Sequence, residues 1–128
     1  MKSIATLVLL VLSFSVQAAR LHPESYYQDL FCGENPVTLK DGTRADCIKD
    51  GVVWELDFWD KWYEGVGQAL HYSRVTGKPP GVVILLDTVD ETNMNVVRFV
   101  LLMDYLKALR IRGRLMDRNG TIWKVTDL

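Results

Sequence analysis

Asp46 and Glu55 are acidic residues whose spacing could hold a metal ion. They lie on either side of Asp50-Gly51, a dipeptide typical of a two-residue β-hairpin turn. With that turn, Asp46 faces Glu55 directly, with β-carbons about 5 Å apart. Two carboxylates in this position repel each other unless they share a proton or bind a divalent cation. Hard cations such as Mg²⁺ favour this arrangement, because they prefer oxygen ligands.

Arg44 and Asp57 provide a structural alternative to a metal site. The same hairpin register places Arg44 opposite Asp57, so that Arg44 could neutralise the acidic residues as an ion pair. Asp57 could instead cap the helix that follows it. In this interpretation the hairpin is purely structural, it is stapled by a disulfide, and divalent ions have no effect on it.

The hydrophobic pattern predicts the elements that position these residues. The order is αβββαβαβ, an α/β fold with a mixed sheet flanked by helices. Helix 93–109 is apolar around most of its circumference, which predicts that it is well buried. The predicted helices are 23–31, 61–76 and 93–109, and the predicted strands are 36–40, 44–49, 52–58 and 82–86, followed by a strand or hairpin over 113–116 and 121–125.

A polar stripe on helix 61–76 begins directly after the acidic strand. Lys61, Glu64, Gln68 and Tyr72 fall within about 80° of one another at 100° per residue. A stripe of this kind is usually a solvated helix face. Its position after the strand that carries Glu55 favours a functional role, since Lys61 could reach back toward that carboxylate.

At these residues the sequence resembles the PD-(D/E)XK nuclease superfamily, whose metal-binding acids lie on a central hairpin. Asp46 matches the first acid of the family motif, and Glu55 matches the second. The family usually has a lysine two residues after that glutamate, where this chain has Asp57. Lys61 could supply the missing cation from the next helix.

Two further features extend the resemblance. Gln68 and Tyr72, spaced as Gln-x-x-x-Tyr, are similar to the helix motif of the RecB-like branch. Glu34 or Glu24 could serve as the additional upstream acid that some members use. The stretch from 57 to 68 is also similar to small uncharacterised exported bacterial proteins, which supply no activity to transfer.

The resemblance implies a restriction-endonuclease-like fold and hydrolysis of phosphodiester bonds in nucleic acid. Asp46 and Glu55 would bind Mg²⁺ or Mn²⁺, and Lys61 would act with them in catalysis. Gln68 and Tyr72 would bind the substrate. The alternative is an inactive protein of the same fold that binds or inhibits a protein partner. Asp57 in place of the family lysine favours this alternative.

The N-terminal residues predict export. Lys2 precedes an apolar run over 4–14, and Val16-Gln17-Ala18 resembles a signal-peptidase site. We therefore expect a signal peptide over 1–18, a single domain over 19–128, and a periplasmic or secreted protein. The apolar run is too short for a stable membrane anchor, which needs about 20 residues. The net charge of −1 argues against coating nucleic acid by bulk charge.

Cys32 and Cys47 are the only cysteines. In an oxidising compartment a disulfide between them is the default expectation, and it would contribute about 3 kcal/mol in the chain-entropy model. Other common chemistries lack their motifs, because the chain has no Gly-x-Ser-x-Gly elbow and no phosphate-binding glycine loop. His22 and His71 are isolated, which argues against zinc.

Overall fold

The computed structural model describes residues 19–33 and 36–127. The predicted signal peptide, 1–18, lies outside the described residues. A short 3₁₀ turn over Trp59–Lys61 leads from the central acidic strand into the second helix. In chain order the elements are α1 (Glu24–Cys32), β1 (Val37–Thr38), β2 (Arg44–Ala45), β3 (Cys47–Lys49), β4 (Val52–Phe58), α2 (Trp62–Thr76), β5 (Pro80–Leu85), α3 (Val96–Ala108), β6 (Arg112–Met116) and β7 (Ile122–Thr126).

Five strands form one mixed sheet in the order β3-β4-β5-β6-β7. The central strands β4, β5 and β6 are parallel, and the outer strands β3 and β7 are antiparallel to their neighbours. The strands β1 and β2 form a separate two-stranded sheet. The predicted α/β class, with helices packed on a mixed sheet, is confirmed.

The helices cover opposite faces of the sheet because alternate strand residues point to opposite sides. Tyr27 and Phe31 of α1 pack against the face that contains Leu56 and Leu85. The other face, which includes Val82 and Ile84, packs against α2 and α3. All seven residues of β4 are buried, so this strand lies at the centre of the core.

The hairpin between β3 and β4 has the predicted turn and register. Asp50 and Gly51 both have positive φ, at 54° and 75°, as a type I′ turn requires. Lys49 pairs with Val52, the pairing that the two-residue turn predicts. This local geometry brings the residue before β3 close to the middle of β4.

The predicted strand 44–49 is interrupted, and this changes the partner of Arg44. A bend at Asp46 separates β2 from β3, and β2 pairs with β1 so that Arg44 lies opposite Thr38. No ion pair joins Arg44 to Asp57 within the described part of the chain. The predicted neutralisation by Arg44 is therefore wrong, because the bend directs that residue to the second sheet.

Helix α3 is much more exposed than its composition predicts. Among its residues only Leu102 and Leu106 are buried, while Val97 is 70% exposed. The prediction of a well-buried helix is wrong, since α3 packs on the sheet through one narrow stripe and no other described element covers its outer side. The exposed apolar residues on or beside this helix are Val96, Val97, Val100, Leu101, Tyr105 and Leu109.

Asp87, directly after β5, ties the start of the described chain to the sheet. Its carboxylate accepts hydrogen bonds from the backbone nitrogens of Leu21 at 2.8 Å and His22 at 3.0 Å. The Tyr27 hydroxyl donates a further hydrogen bond at 2.5 Å. Across residues 19–33 and 36–127, no helix combines the length and apolar character that a membrane span requires.

Candidate metal centre

Three carboxylates from three different elements meet beside β4. Glu24 lies in the first turn of α1, Asp46 in the bend before β3, and Glu55 in the middle of β4. One oxygen of each lies within 4.8 Å of the others. They meet there because β3 pairs with β4 only as far as Cys47 opposite Trp54, which leaves the next part of β4 without a strand partner on that side.

The Asp46 carboxylate takes the place of the missing strand partner. Its Oδ2 accepts a hydrogen bond from the backbone nitrogen of Leu56 at 2.7 Å. Its Oδ1 accepts a second hydrogen bond from Gln28 Nε2, on α1, at 2.6 Å. Gln28 Nε2 also lies 3.4 Å from Glu24 Oε1. These contacts hold Asp46 in one orientation and link it to α1.

Glu55 has the least satisfied side chain of the cluster. Only 6% of the residue is exposed, and its Oε2 has no hydrogen-bond partner in the described part of the chain. A buried acceptor without a partner costs free energy, and most such groups in proteins are paired. A cation held between the carboxylates would satisfy this oxygen, so the cluster fits a hard divalent ion.

The pKa of each carboxyl group in the cluster is raised, mainly by burial. Burial, followed by the charges of Asp46 and Glu24, raises the pKa of Glu55 to about 10. Burial, followed by the charges of Asp46 and Asp57, raises the pKa of Glu24 to about 7. Burial also raises the pKa of Asp46, against the hydrogen bond from Leu56. Metal ligands must be deprotonated, so cation binding here would release protons.

Asp57 occupies the position where the nuclease motif usually has lysine. Its Oδ1 accepts a hydrogen bond from the backbone nitrogen of Phe58 at 2.9 Å, and α2 has no side-chain cap, so the predicted capping role is wrong. Burial raises the pKa of Asp57 to about 6, while the charge of Lys61 lowers it. The charge of Lys61 also lowers the pKa of Glu24.

Tyr72 and Gln68, the other two motif residues, differ in their surroundings. Tyr72 is buried against Leu39, Ala45 and Val53. Its pKa is raised by burial and by the charges of Glu55 and Asp46, so it lies near the carboxylates. Gln68 is exposed one turn earlier on α2. The fold thus brings Tyr72 toward the cluster and leaves Gln68 on the surface of the same helix.

Gly65 allows α2 to approach the acidic strand closely. A Cβ atom at this position would lie 2.9 Å from the Cβ of Asp57 and 3.3 Å from Val82 Cγ2. Real Cβ atoms are essentially never found at the first of these distances. The absence of a side chain at Gly65 therefore permits the short distance between α2 and the strand that carries Glu55.

The sequence named Glu24 and Glu34 as alternative upstream acids, and Glu24 joins the cluster. Glu34 lies outside the described residues. Gln28 was not singled out, although one signal was available. Glu24, Gln28 and Cys32 follow one another at intervals of four residues, which places them on one face of α1.

No known protein family, curated protein or solved structure matches this chain. The class that the fold and the site define is an α/β protein with a candidate metal-binding cluster of three carboxylates.

Proposed function

We propose that this chain is an exported, metal-dependent nuclease-type domain that hydrolyses phosphodiester bonds in nucleic acid. The observation that carries this proposal is the buried, unpartnered Oε2 of Glu55 inside a cluster of three carboxylates. A cluster of carboxylate oxygen donors is suited to Mg²⁺ or Mn²⁺. Both the acids and the hairpin that carries them correspond to the motif of the PD-(D/E)XK superfamily.

The proposed roles follow from where each side chain lies. Asp46 and Glu55 bind the metal, with Glu24 as a third ligand from α1. When bound, the metal would polarise a phosphoryl oxygen and lower the pKa of a coordinated water. Lys61 offsets negative charge that develops on the phosphate. Tyr72 and Gln68, on the same helix, position the substrate backbone.

The architecture around these residues supports a restriction-endonuclease-like arrangement. The acids lie beside a central hairpin, β3 and β4, and the helix with the Gln-x-x-x-Tyr spacing follows directly. Asp57 departs from the motif, but Lys61 lies in the 3₁₀ turn that follows β4, and its charge lowers the pKa of Asp57 and of Glu24. In this proposal the cation of the motif has moved from the strand to the turn that precedes α2.

An oxidising location is part of the proposal. Cys32 and Cys47 form the predicted disulfide, with 5.8 Å between their Cα atoms. Disulfides persist in oxidising compartments and are rare in the cytosol. Together with the sequence of residues 1–18, this supports a signal peptide and a mature domain, 19–128, that acts in the periplasm or outside the cell.

Thermal unfolding tests the metal site without a choice of substrate. We would unfold residues 19–128 with EDTA, Mg²⁺, Mn²⁺ or Ca²⁺, for the native sequence, for Glu55→Gln and for Glu64→Gln as a control at an exposed glutamate on α2. Metal at 100 times its dissociation constant should stabilise the native protein by about 2.7 kcal/mol. Glu64→Gln should respond equally, and Glu55→Gln should not respond. A native protein that no metal stabilises would contradict the proposal.

Activity is then tested on single- and double-stranded DNA and RNA. We expect cleavage that EDTA abolishes and that Glu55→Gln lacks, with Glu64→Gln as the active control. If the protein binds metal but cleaves none of these substrates, the metal site is supported and the nuclease function is contradicted.

A protein-binding function is the second candidate, and the exposed apolar side of α3 favours it. Leu101, Tyr105 and Leu109 line a groove of about 380 Å³ together with Trp62 and Tyr63. Contiguous exposed apolar surface often marks a protein interaction site. This candidate predicts no metal-dependent hydrolysis, and binding of a partner that Leu101→Glu abolishes.

A further inference from the structure

We propose that the Cys32–Cys47 disulfide controls the metal affinity of the three-carboxylate cluster. In the oxidised protein the cluster is assembled, and in the reduced protein it loses its arrangement and most of its affinity. This inference rests on the proposed function, because it describes the regulation of the same site.

The disulfide joins the two segments that supply most of the cluster. Cys32 is the last residue of α1, the helix that carries Glu24 and Gln28 on the same face. Cys47 directly follows Asp46 and is the first residue of β3. One covalent bond therefore fixes α1 relative to the bend, and so places the Glu24 and Gln28 side chains beside the Asp46 carboxylate.

Asp46 depends on this placement because its own segment provides little support. The bend lies between two strands of two and three residues, and β3 is an edge strand. The described hydrogen bonds to the Asp46 carboxylate come from Leu56 on β4 and from Gln28 on α1. The bond from Gln28 requires α1 to stay within a fraction of an ångström of its position.

Other contacts keep α1 on the sheet when the disulfide is reduced. Tyr27 and Phe31 are buried in the core, and the Tyr27 hydroxyl is bonded to Asp87. Lys49 Nζ donates a hydrogen bond to the Phe31 carbonyl oxygen at 2.9 Å. These contacts hold the apolar face of the helix, whereas the disulfide holds the Glu24–Gln28 face. We therefore expect a reduced protein that remains folded but has a loosened cluster.

The size of the effect follows from the geometric demands of metal sites. Removing groups that orient metal ligands typically weakens metal affinity by 10–100-fold. The cytosol keeps thiols reduced, so the chain would bind metal weakly before export and tightly after its disulfide forms. A nuclease controlled in this way would be inactive toward the nucleic acid of the cell that makes it.

The first experiment measures Mn²⁺ affinity by calorimetry in the oxidised native protein and in Cys32→Ala/Cys47→Ala. Circular dichroism checks that the variant is folded. We expect its affinity to be at least about tenfold weaker. The control is Leu102→Ala, a cavity in α3 far from the disulfide in sequence, which should lower stability but leave Mn²⁺ affinity unchanged. Equal affinity in the folded double variant would overturn the inference, as would an equal loss in Leu102→Ala.

The second experiment uses the native cysteines and does not depend on a variant that folds. Coupling between two sites is reciprocal, so Mn²⁺ must make the disulfide harder to reduce if oxidation tightens Mn²⁺ binding. In glutathione buffers a tenfold affinity ratio lowers the reduction potential by about 30 mV at saturating Mn²⁺. Glu55→Gln should show no shift. A native potential that is independent of Mn²⁺ would overturn the inference.

The two proposals fail in different ways. If the oxidised native protein binds no Mn²⁺, the proposed function fails and this inference fails with it. If oxidised and reduced proteins bind Mn²⁺ equally well, only the redox control fails and the metal site remains.

Discussion

The Glu55 carboxyl group lies inside the protein beside two other acids, and one of its oxygens has no partner among the described residues. An apolar or neutral side chain would be easier to accommodate at this position on stability grounds alone. Stability is commonly lowered at residues that bind ligands, because charged groups are gathered there before the ligand neutralises them. Among the three acids of the cluster, Glu55 shows the largest conflict between stability and ligand binding.

Glu55→Gln should stabilise the metal-free protein. Burial and neighbouring acids raise the folded-state pKa of Glu55 to about 10, above the ordinary value of 4.5. Protonation of Glu55 therefore contributes stability that is fully present below pH 4.5 and is lost as pH rises toward 10. At pH 7 in EDTA we expect the variant to be more stable by roughly 1–3 kcal/mol. Urea unfolding from pH 4 to 9 measures this, and a difference that does not grow with pH would contradict it.

Asp87→Asn should have the opposite effect. Burial acts to raise the pKa of Asp87, but hydrogen bonds from Tyr27, Leu21 and His22 outweigh it and lower the pKa below the ordinary value of 3.8. The stabilisation is therefore present above about pH 4 and lost as pH falls through the lowered pKa. We expect Asp87→Asn to cost roughly 2–3 kcal/mol at pH 7, since hydrogen bonds to a charged group are lost.

Acid unfolding distinguishes this account from a simple packing defect. The difference between native protein and Asp87→Asn should shrink below pH 4, where the native carboxylate becomes protonated. A difference of constant size between pH 2 and 7 would show that the charge of Asp87 is not responsible.

At the scale of elements, the contact between α2 and β4 determines the geometry of the site. The helix carries Gln68 and Tyr72, the short turn before it carries Lys61, and the strand carries Glu55. The two elements lie close together at Gly65, since even a Cβ atom there would overlap Asp57.

Gly65→Ala should push α2 away from β4 and destabilise the protein by about 1–3 kcal/mol, the usual cost of overpacking. Gly67→Ala is the matched control, because an added Cβ at Gly67 meets nothing within 4 Å. At this exposed helix position alanine should stabilise by up to about 1 kcal/mol. Thermal unfolding of both variants measures whether each substitution raises or lowers stability. A Gly65→Ala variant that is more stable than the native protein would contradict the close contact between α2 and β4.

At the scale of the whole molecule, the sheet is covered unequally on its two faces. The disulfide lies under α1, and the acidic cluster lies where α1, the bend at Asp46 and β4 meet, whereas the outer side of α3 presents apolar residues to solvent. The proposed catalytic site and the apolar groove are therefore built from different parts of the fold, although α2 contributes to both. Substitutions can consequently separate the two candidate functions.

Leu101→Glu should leave stability nearly unchanged, within about 0.5 kcal/mol, because Leu101 is 47% exposed. Its neighbour provides the contrast, since Leu102 is fully buried and Leu102→Ala should cost about 2–5 kcal/mol. Guanidinium unfolding of the two variants measures the difference. A large loss of stability in Leu101→Glu would show that the outer side of α3 is covered in solution.

Features that depend on residues close to one another in the sequence were predictable from the sequence. The turn at Asp50-Gly51 requires positive φ values that these residues tolerate, so the β3–β4 register followed, and with it the approach of Asp46 to Glu55. Glycine after α2 marked the end of that helix at Gly77. The disulfide followed from the number and spacing of the cysteines.

The tertiary structure alone decided which distant residues join these local features. Glu24 and Gln28 reach Asp46 because α1 packs across the sheet, a contact between segments separated by a loop whose path no local pattern specifies. Because the chain bends at Asp46, β2 pairs with β1 and Arg44 becomes part of the second sheet. The sequence predicted that the apolar outer side of α3 is buried, but it is exposed. The hydrophobic pattern shows which helix faces are apolar, whereas burial depends on whether another element packs against them.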